Sequence, residues 1–246
     1  MKIFWRITMI SLELDVHTHT VASGHYTHDT VTDLIRQAAE SGLKLLGISD
    51  HGPAIPHSCT ASYFRGLSGA PAWRMGVHVL YGAEVNILDF SGSVDLQEDI
   101  MKNLDYCIAA MHTPCLTPGT LEENTQAYIH AMENPHIRII AHPDDVKYPA
   151  DYGRLMEAAM DHRVLMEINN SSLSPKGYRG SVKENDRAIL KLCQKYHYPV
   201  LLSSDSHGHS HIGNFSYALA LIQEMDFPPE LIINRSAEEF LRFINR

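Results

Sequence analysis

A distorted seven-stranded (β/α)7 barrel of the TIM-like kind is the fold this α/β sequence predicts, and three observations predict it. Seven short apolar runs alternate with amphipathic helical patterns from end to end. Each run is rich in Val, Ile and Leu and apolar throughout, as strands buried on both faces are. No long Pro/Gly/Ser linker interrupts the series, so residues 1–246 read as one domain. An open doubly wound sheet is the alternative, and neither common phosphate-binding glycine loop is present.

The strands are expected at 12–16 (LELDV), 45–49 (LLGIS), 77–85 (VHVLYGAEV), 106–111 (YCIAAM), 137–141 (IRIIA), 164–168 (VLMEI) and 199–204 (PVLLSS). Helical patterns fall between them at 30–42, 121–134, 151–163 and 183–196. Gly42 is placed to close the first of these helices. Residues 86–96 read as a small hairpin after the third strand. A strand-like piece at 231–234 (LIIN) precedes a closing helix, AEEFLRFI, entered through a Ser236/Glu239 capping box.

Composition narrows the function. The 20 Lys and Arg against 29 Asp and Glu give a net charge of −9, which argues against a nucleic-acid partner, since that task needs clustered cations. Four dispersed cysteines without a C-x-x-C are too sparse for a disulfide scaffold and read as reduced thiols in a cytoplasmic protein. The start lacks a small-residue cleavage site, and no run is apolar for long enough to cross a membrane. The 16 histidines are the number that needs a cause.

That cause lies at the strand ends. The first strand runs into Asp15-Val16-His17-Thr18-His19, and residues two apart on an extended chain point the same way, so His17 and His19 can grip one metal. The others end in Ser49-Asp50-His51, Gly82-Ala83-Glu84, Met111-His112, Ala141-His142 and Ser204-Asp205-Ser206-His207. Six of seven apolar strands thus end in His, Glu or Asp, and polar groups so placed cost free energy unless paired or bound to metal. Barrels gather their strand ends into one rim, where these side chains would meet.

The set LDVHTHTVASGH, SDHG, GAE, AMH, AHP and SDSH resembles the PHP (polymerase and histidinol phosphatase) superfamily, and within it the stand-alone YcdX-type bacterial phosphatases. ISDHGP, EINNSS, SSDSH and FPPELIIN extend the resemblance from about residue 12 to the end. It implies a distorted barrel, a trinuclear metal centre and phosphoester hydrolysis. By the family pattern, His17, His19, Glu84 and Asp205 would hold the first metal. Glu84 would bridge to a second, completed by His112 and His142, and His25, His51 and His207 would hold a third.

Ten protein bonds shared among three metals leave at least two of them an open position, which suits catalysis rather than a closed structural site. Three divalent ions against two carboxylates leave the cup near +4, which draws a phosphate dianion. The expected nucleophile is a metal-bound hydroxide. Zinc is the expected metal, with manganese and iron as alternatives. Asp15 and Asp50 flank ligand histidines and are expected to hold ring N–H groups. Lys176 and Arg179 are expected to clamp substrate phosphate, and His57, on a lid over 53–64, to approach the substrate.

The function this supports is hydrolysis of a phosphate monoester of a small molecule. The alternatives are a PHP-type phosphodiesterase or nuclease, against which the charge argues, and a histidinol phosphatase. An amidohydrolase would often carry a carboxylated Lys at a later strand end, where this chain has His112. A metal-storage protein would cluster its ligands in a flexible tract.

Overall fold

A computed structural model describes residues 10–24 and 27–245. Nine strands occur among them: β1 (Leu14–Asp15), β2 (Leu45–Ile48), β3 (Trp73–Arg74), β4 (Val77–Tyr81), β5 (Ala83–Asn86), β6 (Cys107–Ala110), β7 (Ile137–Ile140), β8 (Leu165–Asn169) and β9 (Val200–Ser203). Their order is β1-β2-β4-β3 in one sheet and β5-β6-β7-β8-β9 in the other. All pairings are parallel except that of β3, a short antiparallel edge. The helices are α1 (Val31–Glu40), α2 (Ala61–Leu67), α3 (Glu98–Met101), α4 (Leu121–Met132), α5 (Tyr152–His162), α6 (Lys183–Tyr196), α7 (Ser216–Glu224) and α8 (Ala237–Ile244).

All seven expected runs form strands, with ends shifted by a residue or two. The third divides into β4 and β5 at Gly82. A Cβ on Gly82 would lie 2.6 Å from the Tyr106 carbonyl oxygen, so only glycine lets the chain turn there against β6. The wall stays continuous through this turn. The Gly82 and Glu84 amides donate to the Ile48 and Asp50 carbonyls on one side, and the Asp105 amide donates to the Tyr81 carbonyl on the other. The hairpin at 86–96 is present as a bridge between Ile87 and Val94.

Strands buried on both faces make two shells of core. Inside, the N-terminal halves of the strands contribute Leu14, Leu45, Ile108, Leu165 and Leu201, and α8 plugs this end with Phe240 and Ile244. Outside, α1 covers β2 and β4, while α4, α5, α6 and α7 cover β5 to β9. Thr30 and Thr120 open α1 and α4 with complete capping boxes. Ser236 accepts from the Glu239 amide at the start of α8, half of the expected box.

The run LIIN is not a strand. Ile232 makes one bridge to Val200, and the chain around it winds into two short 3-10 turns, the first opening at Pro229. Asn234 then does what a strand would. Its Nδ2 donates to the Leu14 (3.1 Å) and Leu202 (2.7 Å) carbonyls, and its Oδ1 accepts from the Leu202 amide (2.8 Å). One fully buried amide side chain thus stitches β9 to β1, and a bridge between Thr18 and Ser206 completes the closure above it. Asn234→Ala strands these backbone groups without water, so we expect a loss of about 2–4 kcal/mol in urea unfolding. A change under about 0.5 kcal/mol would show that the barrel closes without it.

Candidate metal centre

Alternation along the strands lifts donors to the rim. Leu165 leads two residues later to Glu167, Ile108 through Ala110 to His112, and Leu45 through Gly47 and Ser49 to His51. The Thr18–Ser206 bridge is flanked by His17 and His19 on one chain and Asp205 and His207 on the other. Three groups of donors each fit within 4.8 Å: His17, His19 and Asp205; His51, Glu84 and His112; and His19, His51 and His207. His142 adjoins them, its Nε2 3.0 Å from Glu84 Oε1. His25 lies outside the described residues.

The grouping is tighter than the expected partition, because His19 and His51 each belong to two groups. Glu84 is the hub. It is fully buried, with His51 at 2.5 Å, His142 at 3.0 Å, His17 at 3.4 Å, His112 at 3.5 Å and His19 at 3.6 Å.

The ring protons are fixed from behind. His17 Nδ1 lies 2.7 Å from Glu167 Oε1, a carboxylate that can only accept. His112 Nδ1 lies 2.7 Å from Asn86 Oδ1, whose own amide donates to Asp95. His19 Nδ1 lies 3.0 Å from Ser23 Oγ, whose hydroxyl donates to Asp50. In each case Nδ1 carries a proton, which in the neutral ring leaves the lone pair on Nε2. The Nε2 atoms of His17, His19 and His112 are buried without a hydrogen-bond partner among the described residues. Orphaned acceptors facing one cup are what a cation binds, so the donor set fits a metal.

Charge agrees with this. Burial pushes His19, His112 and His207 below the ordinary histidine range, which keeps the rings neutral. Burial would raise the Glu84 and Asp205 carboxyls, but the histidines around them, and Arg179 beside Asp205, hold both well down as anions. His17 goes the other way. Burial would lower it, yet Glu167, Glu84 and Asp205 outweigh that and raise it, so the ring seeks a cation or becomes one.

The remaining expected residues fall in different places. Asp15 is taken up by backbone where a ring N–H was expected: its carboxylate accepts from the Ser204 and Gly213 amides, and burial raises it to about 6. Asp50 reaches His19 only through Ser23 and also accepts from Thr20 and Tyr63. Arg179 is buried, donates to Asp205 Oδ2 (3.0 Å) and Ser172 Oγ (3.1 Å), and lines a cavity of about 370 Å³ above His51, His112 and His207. Lys176 lines a different cavity with His211 and Tyr217. The 53–64 segment sends Ile55, not His57, into the first cavity; the His57 backbone backs onto Gly24 instead.

Sequence reasoning missed Glu167, Asn86 and Ser23. A charged residue inside the apolar run VLMEI was the available signal for Glu167. Its Oε2 also accepts from the His142 amide and Asn169, tying three strands to one carboxylate.

Fold and rim together define a barrel protein built around a His- and carboxylate-rich candidate metal centre. The chain belongs to the PHP domain family, which matches residues 15–241. It is 44% identical over 231 residues to a "probable phosphatase" of Clostridium novyi (strain NT), covering 94% of this chain and 93% of that one. It is 40% identical over 233 residues to a "probable phosphatase" of Caldicellulosiruptor bescii, covering 95% of each. A crystal structure of histidinol phosphate phosphatase from Lactococcus lactis, complexed with zinc, L-histidinol and phosphate, superposes with a TM-score of 0.59. That match covers 89% of this chain and 95% of the other at 14% identity, so it speaks to the fold.

Glu167→Gln keeps the shape but removes the anion behind His17. We expect metal affinity, read by chelator competition, to fall about 10- to 100-fold with the circular dichroism spectrum intact. Unchanged affinity would remove Glu167 from the centre.

Proposed function

We propose that this chain is a single-domain, metal-dependent phosphoesterase that hydrolyses a phosphate monoester of a small molecule at a trinuclear centre. The observation that carries this is the set of back-pinned imidazoles, His17, His19 and His112, aiming bare Nε2 atoms at the Glu84 cup. The family, and relatives named as probable phosphatases, support the reaction class.

His17, His19, Glu84 and Asp205 would hold one ion, Glu84, His112 and His142 a second, and His25, His51 and His207 a third. Zinc is the metal we assign, supported by the zinc in the Lactococcus lactis protein, with manganese or iron as alternatives. When bound, such ions supply Lewis acidity for a phosphate dianion and make hydroxide available near neutral pH. The chain's own part is positioning. Glu167, Asn86 and Ser23 hold the rings, and Arg179 holds Asp205 while its remaining N–H donors border the cavity. The buried floor of the cup excludes water around the charges and so strengthens them.

A 370 Å³ cavity sits at the small end of the ~300–1,000 Å³ typical of small-molecule sites, which favours a metabolite over a polymer. With a net charge of −9, this argues against the nuclease reading. Four free cysteines support a cytoplasmic setting. No helix among the described residues is long and apolar enough to cross a membrane.

The test is hydrolysis of p-nitrophenyl phosphate by the metal-stripped protein with zinc, manganese and iron each restored. Turnover should return with at least one metal; none with any of the three would overturn the reading. The double variant His17→Ala/His19→Ala should fold yet lose turnover by at least about 1,000-fold, and unchanged turnover would contradict the ligand assignment. Chelation should also lower the Tm of the wild type, because ions that bind only the folded cup stabilise it. An unchanged Tm would mean that the cup holds none.

A further inference from the structure

The cavity above the centre has a second electropositive end. Its floor is His51, His112 and His207, and its walls include Ile55, Met111, Pro114, Tyr178, Arg179 and Lys147. Arg179 is committed to Asp205 and Ser172. Lys147 is not, since among the described residues its ammonium makes no ion pair with a carboxylate. The one acid on the wall, Asp145, is turned to its own loop and accepts from the Lys147 amide at 2.9 Å.

Lys147 is nonetheless held. Its Nζ lies 5.2 Å from the centre of the Tyr178 ring, and the Arg179 guanidinium lies 4.7 Å from the same ring. The two loops that carry them interlock: the Val146 amide donates to the Arg179 carbonyl, and Gly180, at φ +89°, leaves room for Val146, which a Cβ would meet at 2.5 Å. An exposed aromatic ring with two cations within 5.2 Å of its centre, on two loops hydrogen-bonded to each other, thus lines the cavity above the histidines.

We propose that the substrate is a phosphomonoester whose alcohol part carries a second anionic group, and that Lys147, seated on Tyr178, receives that group. This rests on the phosphoesterase reading and names its substrate class. The scissile phosphate faces the histidine floor. A short neutral segment lies along Ile55, Met111 and Pro114, and the second charge meets the uncommitted ammonium. An alcohol part bearing a cation instead, such as L-histidinol, would be repelled there.

The test compares kcat/KM of the metal-loaded wild type and of Lys147→Met on four substrates: p-nitrophenyl phosphate, 3-phosphoglycerate, fructose 1,6-bisphosphate and L-histidinol phosphate. The wild type should prefer 3-phosphoglycerate or the bisphosphate to L-histidinol phosphate, and which of the two it prefers decides between a carboxylate and a phosphate. Lys147→Met should lower kcat/KM on the preferred anionic substrate about 10- to 100-fold more than on p-nitrophenyl phosphate, chiefly through KM. Tyr178→Leu, which removes the seat and keeps the charge, should give a smaller loss of the same selectivity. Equal effects on all substrates, or preference for L-histidinol phosphate, would overturn the inference while leaving the phosphoesterase reading intact. No turnover of any substrate by the wild type would overturn that reading and this inference with it.

Discussion

Glu84 is the constraint around which this molecule is arranged. Its carboxylate is fully buried and has five imidazoles within 3.6 Å. An anion out of water is destabilising by several kcal/mol unless charge and hydrogen bonds compensate it. His142 answers part of this by donating from Nε2 to Glu84, but the rings of His19 and His112, kept neutral by burial, turn lone pairs into the same space and add further acceptors. The consistent resolution is positive charge in the cup. The barrel is built to hold these groups together despite their mutual exclusion, and the proposed ions would turn that strain into affinity.

Two backbone devices make the placement possible. Gly82 lets one strand pair with β2 and β6 while turning between them, and two residues later that strand delivers Glu84. On the opposite side, Asn234 closes the barrel with side-chain hydrogen bonds in place of a ladder, which frees β1 and β9 to continue upward into the Thr18–Ser206 bridge with its four flanking donors. The lower barrel is apolar and plugged by α8, so the polar rim stands on a rigid base.

Most of the barrel was legible in the sequence, because strands buried on both faces leave uninterrupted apolar runs and the end of each run is where a side chain reaches the rim. The elements that escaped carry no such signal. The short edge strand β3 pairs on one side only, and LIIN has a strand's composition but wraps as 3-10 turns, because Asn234 supplies the pairing from its side chain. The donors were legible as ionisable residues at run ends. What holds them was not: Asn86 and Ser23 are neutral, and their part depends on which ring nitrogen comes within reach. Asp50 illustrates the limit, since it adjoins His51 in sequence but acts through Ser23 on His19.

The claim that the Glu84 cup is a metal centre is tested most directly by anomalous diffraction at the zinc edge from crystals grown with zinc. The account predicts peaks bonded at ~2.0–2.2 Å to Glu84 and to the Nε2 atoms of His17, His19 and His112. A cup without an anomalous peak, its imidazoles hydrogen-bonded to water alone, would contradict it.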